Sequence, residues 1–274
     1  MTISQQSILG LVFLSFASGA LASDLVYAPK NQLRASITVG FGGIENPINS
    51  AKNITTPVLP AISYFGEDWY FSNSTLGYSL HESAWYLDIA GTLNEDGLFF
   101  ELDGVSNLLV VYSLNNSLPS GTPLHLKPIK RKLSYMAGLI GGTRVNDFGI
   151  EFAALHDVTG VHDGYEFIFN TNYAITLGKA QLLFEPSVRY KSQQLIDYYY
   201  TVSPSEAISR LPPYQLPNHA INYQFGIAYE LPFSDSWSLT LKLQKHWIDG
   251  KLSSTPMFVQ SVYYSGFAGL KFEF

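Results

Sequence analysis

Two histidine–aspartate pairs, His156-Asp157 and His162-Asp163, put two imidazoles and two carboxylates within eight residues. Such a set can ligate a divalent metal, or let a carboxylate orient an imidazole as a base. The same residues also suit a polar turn whose side chains hydrogen-bond their own backbone. Another imidazole, His246, follows Ser238 and Thr240, as a nucleophile and its base would require, but no third orienting partner is placed by the sequence. Lys127, Lys130, Arg131 and Lys132 form a basic cluster suited to phosphate oxygens, or equally to the solvated end of a loop.

The elements that must carry these groups show best at the C-terminus. Val262, Tyr264, Gly266, Ala268, Leu270, Phe272 and Phe274 alternate with Tyr263, Ser265, Phe267, Gly269, Lys271 and Glu273. Period two is a strand with one mostly apolar face. Aromatics at both ends of that face suit a strand that closes an outer-membrane β-barrel. Composition agrees. Of 274 residues, 14 % are charged and 15 % aromatic, and no cysteine is present. Disulfides and thiolate metal sites are thereby excluded. The net charge of −6 lacks the basic footprint that a nucleic-acid partner requires. Hydrophobic content of 46 % is ordinary, unlike that of a helical membrane protein. Residues 1–22 read as a secretory signal peptide: Ile8–Ala22 is apolar and small, and Ala20-Leu21-Ala22 fits the cleavage pattern, although no Lys or Arg precedes it. Residues 23–274 are then the barrel.

Alternation recurs along that barrel. Leu33, Ala35, Ile37, Val39 and Phe41 oppose Arg34, Ser36, Thr38, Gly40 and Gly42. Asn46–Thr56 reads as a polar loop, Val58–Phe65 as a strand, and Asp68–Leu80 as one long strand or two short ones. Trp85–Leu93 and Leu133–Leu139 alternate on either side of 95–132, a segment too long for a turn and read as the largest loop, with room for a short strand or helix of its own. Turns at Asn146-Asp147, Gly178-Lys179 and Ser234-Asp235 separate further strands. Pro186 cannot donate to a ladder, which predicts a bulge. The count is eleven strands with Asp68–Leu80 taken as one. Even parity then demands about twelve, with ten as the alternative. Arg34, Asp88, Glu151, Glu166, Glu185, Arg189, Lys242 and Lys271 fall on the inward face, where they would line a solute path or pair with one another and fill the lumen.

One stretch is more specific. Asp197-Tyr198-Tyr199-Tyr200-Thr201-Val202-Ser203-Pro204-Ser205-Glu206-Ala207, followed by Arg210-Leu211-Pro212-Pro213-Tyr214, resembles the signature loop of the MipA/OmpV family of outer-membrane proteins. Thr201 stands where the family has Gly, and Gln215-Leu216-Pro217-Asn218 replaces its Gly-rich tail. His156–Gly164 and Thr255-Pro256-Met257 are also similar to the family. The resemblance implies an outer-membrane barrel without a cofactor. It marks Tyr199, Tyr200, Val202, Ser203, Ala207, Leu211, Pro212 and Tyr214 as interaction candidates. It also implies a scaffold joining a lytic murein transglycosylase to a murein synthase. Some members look instead like osmotically regulated or adhesive surface proteins, and a small-solute channel is the competing reading. Barrel lipases and lipid A deacylases set Ser and His on the wall, but the resemblance implies no catalytic role for the His-Asp stretch, so a polar turn and a non-enzyme are preferred. Ser203, Pro204 and Glu206 predict a short helix on or in the mouth, either external decoration or a folded-in constriction. Lipid and lipopolysaccharide are the expected surroundings, with the basic cluster as an outer rim.

Overall fold

The alternating segments pair in sequence order and then with each other. The structure, a computed structural model, describes residues 31–49, 51–105, 129, 131–204, 206 and 213–274, with the main chain alone at 101–105. The expected signal peptide 1–22, Lys127, Lys130, Ala207, Leu211 and Pro212 lie outside the described residues.

Twelve strands form the wall: β1 (Gln32–Ile44), β2 (Ile54–Phe65), β3 (Trp69–Ser72), β4 (Thr75–Glu82), β5 (Trp85–Leu93), β6 (Tyr135–Val145), β7 (Phe148–Asp157), β8 (Tyr165–Leu177), β9 (Ala180–Ser192), β10 (His219–Pro232), β11 (Trp237–Trp247) and β12 (Val262–Glu273). Each pairs antiparallel with its neighbours, and β1 pairs with β12 to close the barrel. No backbone edge is then left in lipid, which a membrane-spanning sheet requires. The strand demanded by parity arises where Asp68–Leu80 splits into β3 and β4 about Asn73, whose φ is 52°.

The faces follow the alternation. Phe41 is 76 % exposed on the outer wall and Thr38 is 7 % exposed in the lumen. Leu241 and Leu243 are exposed, whereas Ser238 and Gln244 on the opposite face are buried. The bulge expected at Pro186 is absent. Phe225 pairs with Pro186 in unbroken register between β9 and β10. On the β8 side the register is the same before and after the proline, from Asn170 opposite Ser187 to Tyr173 opposite Phe184. The missing donor is absorbed as an interrupted stretch of ladder, not as an inserted residue. Register shifts fall instead between Val39 and Gly42 and between Ser79 and His81.

One end of the barrel carries tight turns. Asn146 and Gly178 take φ of 54° and 64°, the left-handed conformation that two-residue hairpins need. The other end carries long loops, and their described parts fold inward. Their helices are α1 (Glu95–Val105), α2 (Gln193–Tyr200) and α3 (Gly250–Ser253). The loop read as spanning Asn46–Thr56 is shorter than expected, because β2 begins at Ile54.

Candidate functional site

The mouth at the loop end is closed by side chains from four connections. Asn94 starts α1: its Oδ1 accepts from the backbone N–H of Asp96 at 2.9 Å and of Gly97 at 3.4 Å. This cap aims the Asp96 carboxylate into the lumen. There Lys191 Nζ of β9 donates to both of its oxygens, at 2.5 and 2.7 Å, and the Tyr200 hydroxyl donates at 2.5 Å. Burial opposes the charge on Asp96, but Lys191, the Tyr200 hydrogen bond and Arg189 outweigh it and hold the carboxyl below its ordinary value. Arg189 bridges Glu95 at 3.2 Å and Glu166 at 3.4 Å. Burial and the Asp96 charge push the Tyr200 hydroxyl far above its ordinary range, so it remains a donor.

Aromatic packing fills the rest. Phe99 meets Tyr263 edge to face at 5.5 Å, Phe100 stacks on Tyr199 at 6.0 Å, and Tyr200 packs on Phe258 at 4.9 Å. Asn46 Nδ2 donates to the Phe99 carbonyl at 3.0 Å, and Asn49 N donates to the Met257 carbonyl at 2.7 Å. The described parts of the connections 45–53, 94–134, 193–218 and 248–261 therefore share one buried core.

The signature stretch is folded in. Tyr199, Tyr200 and Val202 are buried, and the Tyr214 hydroxyl donates to the Tyr200 carbonyl. The helix is α2, upstream of the expected position. Its last turn holds Tyr198–Tyr200. Ser203 and Glu206 form a turn instead, with the carboxylate accepting from Ser203 N at 2.9 Å. Arg131 donates to Glu206 at 2.7 Å and to the Thr201 carbonyl at 2.6 Å. The Arg131 hydrogen bonds and those from Ser203, against the opposing effect of burial, hold the Glu206 carboxyl down at about 2. Arg131 thus faces the neighbouring loop. Lys132 is exposed, and its backbone N–H donates to the Tyr198 hydroxyl at 2.8 Å.

The histidines take local partners. His156 projects from the exposed outer face of β7 and Asp157 from the buried inner face, so that pair cannot converge. Asp157 accepts from Thr159 N, Thr159 Oγ1, His162 N and Asp163 N. His162 Nδ1 accepts from Gly164 N at 2.9 Å, which leaves Nε2 as the donor to Ser134 Oγ at 3.0 Å; that hydroxyl meets Tyr199 Oη at 3.0 Å. Burial holds the His162 imidazole below its usual value, against the charge of Asp157, and keeps it neutral. The stretch is the polar turn. His246 does not meet Ser238 or Thr240, which lie roughly 26 and 20 Å down the same strand at about 3.3 Å per residue. It meets Ser265 Oγ at 3.0 Å and stacks on Tyr263 at 4.3 Å.

The inward charges are brought together as pairs. Lys242 meets Glu185 at 3.3 Å, Lys271 meets Glu230 and Glu273, and Arg34 meets Glu273 at 3.4 Å. Glu151 accepts from Tyr86 at 2.6 Å and from Asn170 at 3.0 Å, and Asp88 accepts from Tyr70 at 3.1 Å.

The chain matches the family model described as MltA-interacting protein MipA over residues 37–274. The chain belongs to the MipA family. Outer membrane protein OmpV of Vibrio cholerae is 27 % identical over 111 residues, which is 40 % of this chain and 43 % of OmpV, so that match spans less than half of the relative. YiaT of Escherichia coli strain K12, described as an outer membrane protein, is 25 % identical over 212 residues, 74 % of this chain and 71 % of YiaT. Among solved structures, the NanC porin superposes with a TM-score of 0.43 at 8 % identity, covering 88 % of this chain and 99 % of that one. This MipA-family chain is an outer-membrane β-barrel.

The sequence reading allowed a short strand or helix within 95–132 and put Lys191 on the polar face of its strand, but it did not place α1 or single out Asp96 and Lys191 as a pair. Asn94 followed by Glu95 and Asp96 is a helix-start signal that could have revealed α1.

Proposed function

We propose that this protein is a closed outer-membrane barrel that holds murein-remodelling enzymes at the inner face of the membrane, and not an open channel. The partner class follows the family description, MltA-interacting protein, and comprises a lytic murein transglycosylase with a murein synthase. Residues 1–22 are removed as a signal peptide on the way. The observation that carries the reading is the Asp96–Lys191–Tyr200 contact, which ties a loop helix to the barrel wall across the lumen. A pore that passed solutes through this mouth would have to break a buried ion pair. The signature tyrosines then act as the inner surface of the plug, and partner contact falls to the barrel's other surfaces.

Two measurements test this. In planar bilayers the purified protein should show little steady conductance, whereas Asp96→Ala should open the mouth and raise it. Immobilised protein should retain a lytic transglycosylase from solution. A wild-type barrel that conducts as an open pore and retains no murein enzyme would replace the scaffold with the second reading, a small-solute channel. That alternative draws its support from a cavity of about 560 Å³ at the turn end.

A further inference from the structure

That cavity is lined by residues of β2 to β8, at the end with the short turns. In barrels of this type the short turns face the periplasm. It is far roomier than the space beside Arg189 and Lys191 near the loop end, which measures about 20 Å³. The lumen is thus a cup, open toward the turns and closed beneath α1.

Its chemistry is one-sided. Glu67, Asp68, Glu82 and Asp88 line it, against the guanidinium of Arg144. Two of its wall groups are buried with an acceptor left over. Asp88 is 3 % exposed; Oδ2 takes the Tyr70 hydroxyl, while Oδ1, beside the Ser79 side chain, makes no well-formed hydrogen bond. Asn172 is 6 % exposed and its Oδ1 has no partner among the described residues. Buried acceptors are ordinarily satisfied. Here both residues line a space large enough for a ligand.

The cup is shaped by packing that leaves these acceptors in place. Tyr70 lies across Gly77, where any Cβ would overlap its ring, and a Cβ on Gly142 would stand 2.8 Å from the Tyr86 hydroxyl. Both tyrosines spend their hydroxyls on carboxylates, Tyr70 on Asp88 and Tyr86 on Glu151. The two tyrosine hydroxyls on this wall are therefore already engaged, and the remaining acceptors are left for donors that a ligand would bring.

We infer that the turn-end cup binds a small organic ammonium ion, whose N–H groups would satisfy Asp88 Oδ1 and Asn172 Oδ1 while Glu67, Asp68 and Glu82 attract its charge. An ammonium supplies three donors and no acceptor, which is the complement of this wall. The carboxylates also draw cations into a low-dielectric cleft. The group can come as a free diamine or as the amine of a short peptide.

The test uses the full-length mature barrel refolded in detergent, with 1,5-diaminopentane, lysine amide and, as neutral isostere, 1,5-pentanediol. Calorimetry and the fluorescence of Trp69 and Trp85, which border the cup, follow binding. The diamine or the lysine amide should bind saturably, weaken with added salt, and lose about tenfold in affinity in Asp88→Asn and in Glu82→Gln, as expected when a charge-assisted bond is removed. Tighter binding of the diamine points to a free polyamine and tighter binding of lysine amide to a peptide amine; either supports the assignment. Should Asp88→Asn fail to give a heat-modifiable barrel, Glu82→Gln at the mouth decides alone. The inference is overturned if neither amine binds the wild type, if the diol binds equally well, or if folded variants bind unchanged. Retention of a murein enzyme is measured separately, so failure here leaves the scaffold reading standing.

Discussion

At the residue scale, the polar groups near the mouth fall into two kinds: those whose partners lie a few positions away and those whose partners lie across the barrel. The Asp157–Gly164 turn could be read because its donors and acceptors lie within a few positions of each other. Asp96 and Lys191 are 95 positions apart, and nothing in either neighbourhood names the other. Arg189 and Glu166 were placed on the inward face by alternation, but their pairing depended on a register that no single strand contains. His162 gives this scale its prediction. Its neutral ring accepts the Gly164 N–H, and its value lies below the ordinary 6.5 because burial disfavours the cation. A lowered value means that the unfolded turn takes up protons first. The turn's stabilisation is therefore complete above pH 6.5 and fades as pH falls through the depressed value. Hydrogen exchange at the Gly164 amide should lose protection faster over that range than amides in β7, and His162→Ala should remove the pH dependence. Protection that stays flat with pH in the wild type would show that the ring does not control the turn.

At the element scale, strands were legible and inward-folding loops were not. A strand declares itself by period two over ten or so residues, and a lipid-facing strand does so strongly because one side must be apolar. The loop helix α2 buries Leu195, Ile196, Tyr199 and Tyr200 at helical spacing, but over eight residues only and directly after a thirteen-residue strand, too short a run to stand out from the alternation before it. The same reasoning explains Pro186: a proline on the outer face announces a missing donor, but the wall on either side is long enough to hold register without a bulge. The two faces of β11 offer a direct check. Leu241 is 39 % exposed on the lipid side, and Thr240 points inward beside a neighbourhood that already pairs Glu230 with Lys271. Arginine at 241 would sit in hydrocarbon and cost roughly 2–4 kcal/mol near the midplane. Arginine at 240 would enter a polar lumen within reach of carboxylates. Urea titration of refolded barrels should therefore show Leu241→Arg clearly less stable than Thr240→Arg. Equal losses would mean that the inside and outside of β11 are reversed.

At the scale of the whole molecule, the wall and the plug are separable, and they should fail differently. The wall depends on one seam, where β12 returns to β1. Nine residue pairs make that seam, from Ser36 opposite Glu273 to Ile44 opposite Ser265, and Phe274 N adds a bond to the Ala35 carbonyl at 3.0 Å. Deleting Lys271–Phe274 removes three of the nine pairs. It also removes the ion pairs of Lys271 with Glu230 and of Glu273 with Arg34. The freed backbone groups of β1 and β11 would then face lipid, at several kcal/mol for each unpaired group. The described part of the 201–218 connection lies outside the ladder. Replacing it with a Gly-Ser linker would remove the Val202 and Tyr214 contacts and the Glu206–Arg131 bond, but no strand pairing. The tail deletion should therefore fail to appear as folded barrel in the outer-membrane fraction. The linker variant should still insert and run as a heat-modifiable band, with higher conductance than the wild type because the plug has lost one of its walls. If the tail deletion inserts and the linker variant does not, the barrel is held by its loops and not by its closing strand.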